Sequence, residues 1–410
     1  MTSISRRQAL TATAAGGGGV VAGLGLAAVS AAVRSGSTGS GAVSGSGAAV
    51  PVHGGATVPF HGAHQAGIDT AATTHGTFVS LDLRAGVGRD AVLRMMRLLT
   101  DDGARLTQGR PALGDTEREL AAVPARLTVS FGFGPRLFDR IGRSQLRPPS
   151  VAVLPAFAGD ALQPHWTGGD LLLQICADDP LTVAHVVRML TKDARAFATV
   201  RWVQRGFRPA WGSSPEGTTM RNLMGQVDGT VNVAAGTPEF AETVWAGAPG
   251  WFVGGSVLVL RRIRMNLETW DSFDRAGKEL VVGRRLDNGA PLTGRGERDV
   301  PDLTAVDENG FPVIDDVAHV RLAHATRPAE RMLRRGFNYD EGPSADGTAD
   351  VGLLFAAYQA DADASFVPVQ RRLEGKDALN RWITHVGSAV FALPPGCVEG
   401  GVVGEGLLTG

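Results

Sequence analysis

The side chains best placed to do chemistry are one acid, one imidazole and a pair of guanidiniums. Asp228 stands in Gly225-Gln226-Val227-Asp228-Gly229-Thr230, His319 in Ala318-His319-Val320-Arg321-Leu322-Ala323, and Arg334 and Arg335 immediately before Gly336. A carboxylate beside glycine can sit close to a flat ligand, because glycine permits close backbone approach and positive φ. Such a carboxylate can carry a proton from one atom of a substrate to another. An imidazole can give a nitrogen to a metal. A guanidinium stays charged at any working pH and stabilises negative charge as a bond breaks. Each residue also has a plainer reading, the aspartate as a turn residue bonding its own backbone and the histidine as one of nine, serving structure or surface. It is their order along the chain that argues for a shared site.

Extended by Met332-Leu333-Arg334-Arg335-Gly336-Phe337-Asn338-Tyr339, that order resembles the dye-decolourising peroxidases. Further blocks support the resemblance. Pro59-Phe60-His61-Gly62-Ala63-His64-Gln65-Ala66-Gly67-Ile68 is similar to the opening of the exported branch of that family, which includes deferrochelatase-like members. Gly168-Gly169-Asp170-Leu171-Leu172-Leu173-Gln174-Ile175-Cys176 is similar to a mid-chain strand, and Gly352-Leu353-Leu354-Phe355, Phe366-Val367-Pro368-Val369-Gln370 and Gly387-Ser388-Ala389-Val390-Phe391 complete the set. The last block runs on through Ala392-Leu393-Pro394-Pro395-Gly396, so together they cover roughly residues 59 to 400.

The resemblance implies an α+β fold of two ferredoxin-like domains, antiparallel sheets flanked by helices, with haem held mainly by the C-terminal half. It implies one b-type haem (heme b) per chain, and the absence of C-x-x-C-H excludes covalent c-type attachment. Carried over residue by residue, it makes His319 the proximal iron ligand, Asp228 the acid/base and Arg334 the distal cation, with Arg335 as the alternative one residue on. Gly229, Thr230 and Val231 are expected to line the haem, Leu353 and Phe355 to wall the distal pocket, and His324 to lie near the haem edge or propionates. A proximal histidine usually gives its second nitrogen to a carboxylate; Asp377 is a plausible partner, and capping the helix after it is an equally good role. His385 reads as a core or surface helix residue. For each of the seven tryptophans a core role is expected, although any exposed one, or Tyr339, could relay electrons to bulky donors.

The implied activity is oxidation of dyes, phenolic and other organic donors by hydrogen peroxide through an oxoferryl intermediate. Deferrochelatase-like release of iron from haem, with iron-uptake partners, is the alternative, and a non-catalytic haem carrier is a third reading that would need neither Asp228 nor Arg334. A homo-oligomer is compatible with all three.

Composition sets outer bounds. With 410 residues, 43% hydrophobic and 20% charged, the chain can bury a sizeable core. A net charge of −1 offers no basic surface for nucleic acid. Residues 1–33 carry Arg6-Arg7, an Ala/Gly/Val run and small residues at Ser30-Ala31-Ala32, the pattern of a Tat signal that would bring in the Tat translocase and export. A disordered leader is the alternative. Residues 34–57 read as a flexible Gly/Ser/Ala linker, 58–215 as the N-terminal domain and 216–410 as the C-terminal one. Export would permit a disulfide between Cys176 and Cys397, yet the apolar run before Cys176 favours a buried free thiol.

Periodicity places strands at 78–83, 127–133, 170–176, 199–205, 254–263, 351–358 and 387–393. Helices are expected over 89–99 and 181–194, from 267, and within 366–382. Strands and helices intermix without regular β-α-β alternation, which favours an α+β arrangement of two similar halves.

Overall fold

The computed structural model describes residues 53–344 and 347–410. The twin-arginine leader and residues 34–52 of the expected linker lie outside them. The linker's last residues are not free: Ala125 N donates to Gly54 O at 2.8 Å and Arg126 N to Ala56 O at 2.7 Å, so the chain is tied down from His53.

The N-terminal half runs β1 (His75–Leu83), α1 (Arg89–Thr107), β2 (Thr128–Phe133), α2 (Pro135–Arg140), β3 (Leu171–Ala177), α3 (Pro180–Ala194) and β4 (Ala198–Phe207). The C-terminal half runs α4 (Pro238–Val244), β5 (Ser256–Met265), α5 (Leu267–Asp271), α6 (Arg275–Val282), α7 (His319–Ala323), β6 (Leu333–Arg334), β7 (Phe337–Pro343), β8 (Ala349–Gln359), α8 (Phe366–Leu373), β9 (Ile383–Leu393) and α9 (Glu405–Thr409).

Local chemistry accounts for the main boundaries. Asp179 caps α3 by accepting from Thr182 N at 2.8 Å, with Pro180 next, where its missing N–H costs nothing. The helical pattern from Leu267 splits into α5 and α6 because Asp274 accepts from Gly277 N at 2.7 Å and starts a new helix. β7 goes beyond the sequence expectation: after Phe337 and Tyr339 its residues are acidic, glycine and proline, and give no alternating pattern.

Each half forms an antiparallel four-stranded sheet, ordered β4-β1-β3-β2 and β7-β8-β5-β9, the ferredoxin-like arrangement repeated. The sheets meet at both edges, through Phe133↔Ala392 and Phe207↔Asn338, so the eight strands close into a ring. Closure removes the exposed edges that invite aggregation. It also gives each central strand two buried faces. Phe78, Leu172, Leu258, Leu354 and Phe391 fill the interior of the ring, while Val79, Leu171, Leu173, Val257 and Val259 pack outward. Burial on both sides explains why β3, and β5 as far as Leu260, read as nearly continuous apolar runs.

Candidate functional site

The site lies on the outward face of the C-terminal sheet, where loops and short helices replace a long covering helix. Asp228 is held from three directions. Its N–H donates to Met220 O at 2.8 Å, Arg334 Nη1 donates to its Oδ1 at 3.2 Å, and Asn222 Nδ2 lies 3.5 Å from its Oδ2. Gly229 follows at φ 124°, a conformation side-chain-bearing residues avoid, and lets the loop turn immediately after the acid. Thr230 turns its hydroxyl to Glu297 Oε1 at 3.0 Å, and Thr219 donates to the same oxygen at 2.6 Å. Val231 is 69% exposed.

Arg334 ends β6 and Arg335 follows it; their side chains point opposite ways, as successive residues of extended backbone do. The Arg334 guanidinium faces Asp228. Arg335 is buried, with its guanidinium on the carbonyls of Ile68, Thr70 and Ala71, in the segment leading into β1. The two registers left open by the sequence therefore lead to different places, and only Arg334 reaches the acid.

His319 opens α7. Its Nδ1 lies 2.6 Å from Asp377 Oδ2, which leaves Nε2 as the nitrogen available to a metal. Asp377 divides its oxygens between both expected roles: Oδ1 accepts from Leu379 N at 2.9 Å and caps the turn that follows. Burial, the largest influence on the imidazole, pushes its pKa down; the charge and hydrogen bond of Asp377 outweigh it, and the net direction is upward. Arg334 and Asp228 act on the same ring through space with opposite signs, which brings the three motifs into one electrostatic neighbourhood.

A clamp fixes the segment between His319 and Arg334. Glu330 is buried and accepts from Thr326 N and Oγ1, Arg327 Nε and Arg372 Nη2. Arg372 also donates to Leu322 O and His324 O, at 3.1 and 2.8 Å, near the C-terminal end of α7, where a positive charge is favoured. His324 is exposed at that end. Leu353 and Phe355 share the outward face of β8, Leu353 among Met220, Met224 and Ile263, Phe355 against Phe366.

Some expectations need correction. His385 is not on a helix: it is buried on β9, and burial followed by the Arg261 charge pushes its pKa down to about 3. Trp211 is not core; it is 47% exposed, with the Arg126 guanidinium 3.6 Å over its ring. Tyr339 is fully buried, its ring 3.8 Å from the Arg262 guanidinium. Cys176, by contrast, is the buried free thiol expected, and Cys397 is free as well.

Asn222, Asn232 and Glu297 were missed by sequence reasoning. Asn232 sits in the same glycine-rich turn as Asp228, a usable hint. Glu297, in Gly294-Arg295-Gly296-Glu297, lies in no periodic frame and gave no signal.

With this geometry in place, comparison with known proteins becomes decisive. Residues 65–208 match the model of the Dyp-type peroxidase N-terminal domain, and residues 219–398 that of the Dyp-type peroxidase C-terminal domain. The chain belongs to the Dyp-type peroxidase family. Dyp-type peroxidases bind haem, and haem is the cofactor here. A dye-decolorizing peroxidase of Thermobifida fusca is 42% identical over 363 residues, covering 85% of this chain and 84% of that protein. A deferrochelatase of Escherichia coli K12 is 35% identical over 358 residues, covering 82% and 84%. The crystal structure of a DyP-type peroxidase from Cellulomonas bogoriensis superposes with a TM-score of 0.84 at 52% identity, covering 87% of this chain and 99% of that one. The residues present fit the cofactor on chemistry alone: one imidazole with a single nitrogen committed to a carboxylate, and an acid–guanidinium pair within its electrostatic reach.

Proposed function

We propose that His319 holds the haem iron through Nε2 and that Asp228 and Arg334 act together on hydrogen peroxide, so that dyes, phenols and other organic donors are oxidised. The haem, when bound, would supply the iron through which the oxidising equivalents of hydrogen peroxide pass to the donor. Asp228 accepts a proton from one oxygen of hydrogen peroxide and returns it to the other, which leaves as water. Arg334 stabilises the negative charge that develops on the departing oxygen. Asp377 holds His319 in one ring orientation and makes it a stronger donor. Gly229, Thr230 and Val231 would line the haem, while Leu353 and Phe355 would wall the distal pocket and restrict it to small oxidants; bulky donors would deliver electrons from outside.

The observation that carries this reading is the Arg334 Nη1–Asp228 Oδ1 contact at 3.2 Å in the neighbourhood of a histidine tethered through Nδ1. A haem carrier has no use for that pair. The deferrochelatase relatives, 35–36% identical, favour iron release as a second reading. Mixing the holoprotein with hydrogen peroxide and an anthraquinone dye separates the two. Peroxide-dependent dye turnover with haem retained supports the first, and metal-free porphyrin without dye turnover supports the second. The same proposal includes export through the Tat translocase directed by Arg6 and Arg7, supported by the leader's composition. Replacing both with lysine should hold precursor in the cytoplasm, and unchanged export would reject it.

A further inference from the structure

Asn232 grips the backbone of Arg334 at both ends. The Arg334 N–H donates to Asn232 Oδ1 at 2.9 Å, and Asn232 Nδ2 donates to Arg334 O at 2.7 Å. Two such bonds on one residue are what a neighbouring strand would make. β6 is two residues long, pairs along one side with β8 through Leu333↔Tyr358 and Arg334↔Ala357, and on its other side meets this amide. Asn232 is also fixed to the acid's loop: its N–H donates to Gly229 O at 3.1 Å, closing the turn that begins at Asp228.

Asp228 and Arg334 lie 106 residues apart in sequence, so nothing local sets their spacing. Their own ion pair is a poor ruler. It must loosen when the guanidinium turns to a bound oxidant and re-form afterwards. Glu297 and Asn222 hold the acid's loop but do not touch the Arg334 backbone, whereas Asn232 belongs to that loop and reaches across. We propose that Asn232 is a positioning residue that sets the Asp228–Arg334 geometry and keeps it while the ion pair is open. This rests on the reading that those two side chains share peroxide activation.

The test uses holoenzyme and two measurements: the bimolecular rate with hydrogen peroxide, and the affinity of the ferric form for fluoride, an anion that takes a hydrogen bond from a distal cation. Asn232→Ala should lower the peroxide rate by about 10- to 100-fold, the scale of a misplaced catalytic group, and weaken fluoride binding about tenfold, with the dye KM unchanged. In an Arg334→Leu background the same change should alter either quantity by less than about twofold, because the positioned group is gone. Asn232→Asp keeps the acceptor for the Arg334 N–H and loses the donor to its carbonyl; it should show the same direction and decides the matter if the alanine variant does not fold. Equal losses in both backgrounds would mean a general structural role and overturn the proposal, as would wild-type behaviour of both variants. An Arg334→Leu enzyme that matches wild type would overturn the site reading itself, an outcome visible without Asn232.

Discussion

In the N-terminal half, β1 leads to β2 through α1, a helix of 19 residues whose buried side includes Val92, Met95, Met96 and Leu99. The matching connection in the C-terminal half, from β5 to β7, covers residues 266–336 and contains only the short α5, α6 and α7, a 3-10 turn at Pro328–Glu330 and the two-residue β6. The strand order is the same in both halves. What differs is the use of the outward sheet face. One half spends it on apolar helix packing; the other leaves it to loops and very short elements that carry Asp228, His319 and Arg334. Loops positioned by a rigid scaffold are where binding and catalytic groups concentrate, and here a closed ring of strands is the scaffold. The contrast predicts that substitutions in the packed helices of the first half change stability and those at Asp228, His319 and Arg334 change chemistry.

The largest effect should come from His319→Ala, which removes the nitrogen proposed for iron: haem content after purification should collapse while the far-UV spectrum stays native. Wild-type haem content with an unchanged Soret band would move the ligand elsewhere. Arg334→Leu should retain haem and slow the reaction with hydrogen peroxide by about 10²–10³, the usual loss for one preorganised donor. Asp228→Asn should cost less, about 10- to 100-fold, because a water chain can partly carry the proton. If Arg335→Leu were inactive and Arg334→Leu normal, the opposite directions of the two guanidiniums would have been misread.

On the other side of the contrast, Leu99→Ala empties a fully buried position between α1 and its sheet. It should cost roughly 2–5 kcal/mol of stability and leave the peroxide rate per haem unchanged. A large rate loss would show that the halves are not separable in this way.

The smallest effects distinguish a buried acid, Glu330, from a half-buried one, Asp193. In the C-terminal half, burial pulls the Glu330 carboxyl upward, but bonds from Thr326, Arg372 and Arg327 hold it down at about 2, below its ordinary 4.5. A depressed acid stabilises the fold above its unfolded pKa and loses that contribution as pH falls from 4.5 toward 2. Glu330→Gln should therefore cost about 2 kcal/mol at neutral pH and flatten the acid limb of a melting-temperature profile. In the N-terminal half the sign reverses. Burial, then the charge and hydrogen bond of Asp102, push Asp193 up from 3.8 to about 7. The unfolded chain ionises first, so stability declines as pH rises between 3.8 and 7. Asp193→Asn should stabilise the fold above pH ~7 and do little below pH ~4. Parallel profiles for the two variants would contradict the opposed environments.

Most strands and both long helices of the N-terminal half were legible in the sequence, because a period of 2 or 3.6 survives wherever one face is buried. The two-unit α+β fold was legible through resemblance, and so were the chemical residues, since Gly225 to Thr230 and the blocks around His319 and Arg334 stay contiguous in sequence. The ring was not. Its closure rests on Phe133↔Ala392 and Phe207↔Asn338, pairings of residues far apart in the chain that leave no periodic trace. The choice between the two arginines was not legible either. The two arginines are the same residue type in sequence and point opposite ways in space, so only the orientation of the chain at the end of β6 sends Arg334 to Asp228 and Arg335 to the carbonyls of Ile68, Thr70 and Ala71. Asp377 shows the same division. Its sequence allowed either a cap or a partner for His319, and the tertiary fold let one carboxylate do both because its two oxygens face different segments. The sequence determined which side chains are available and which local elements carry them; long-range pairing alone decided which of them meet.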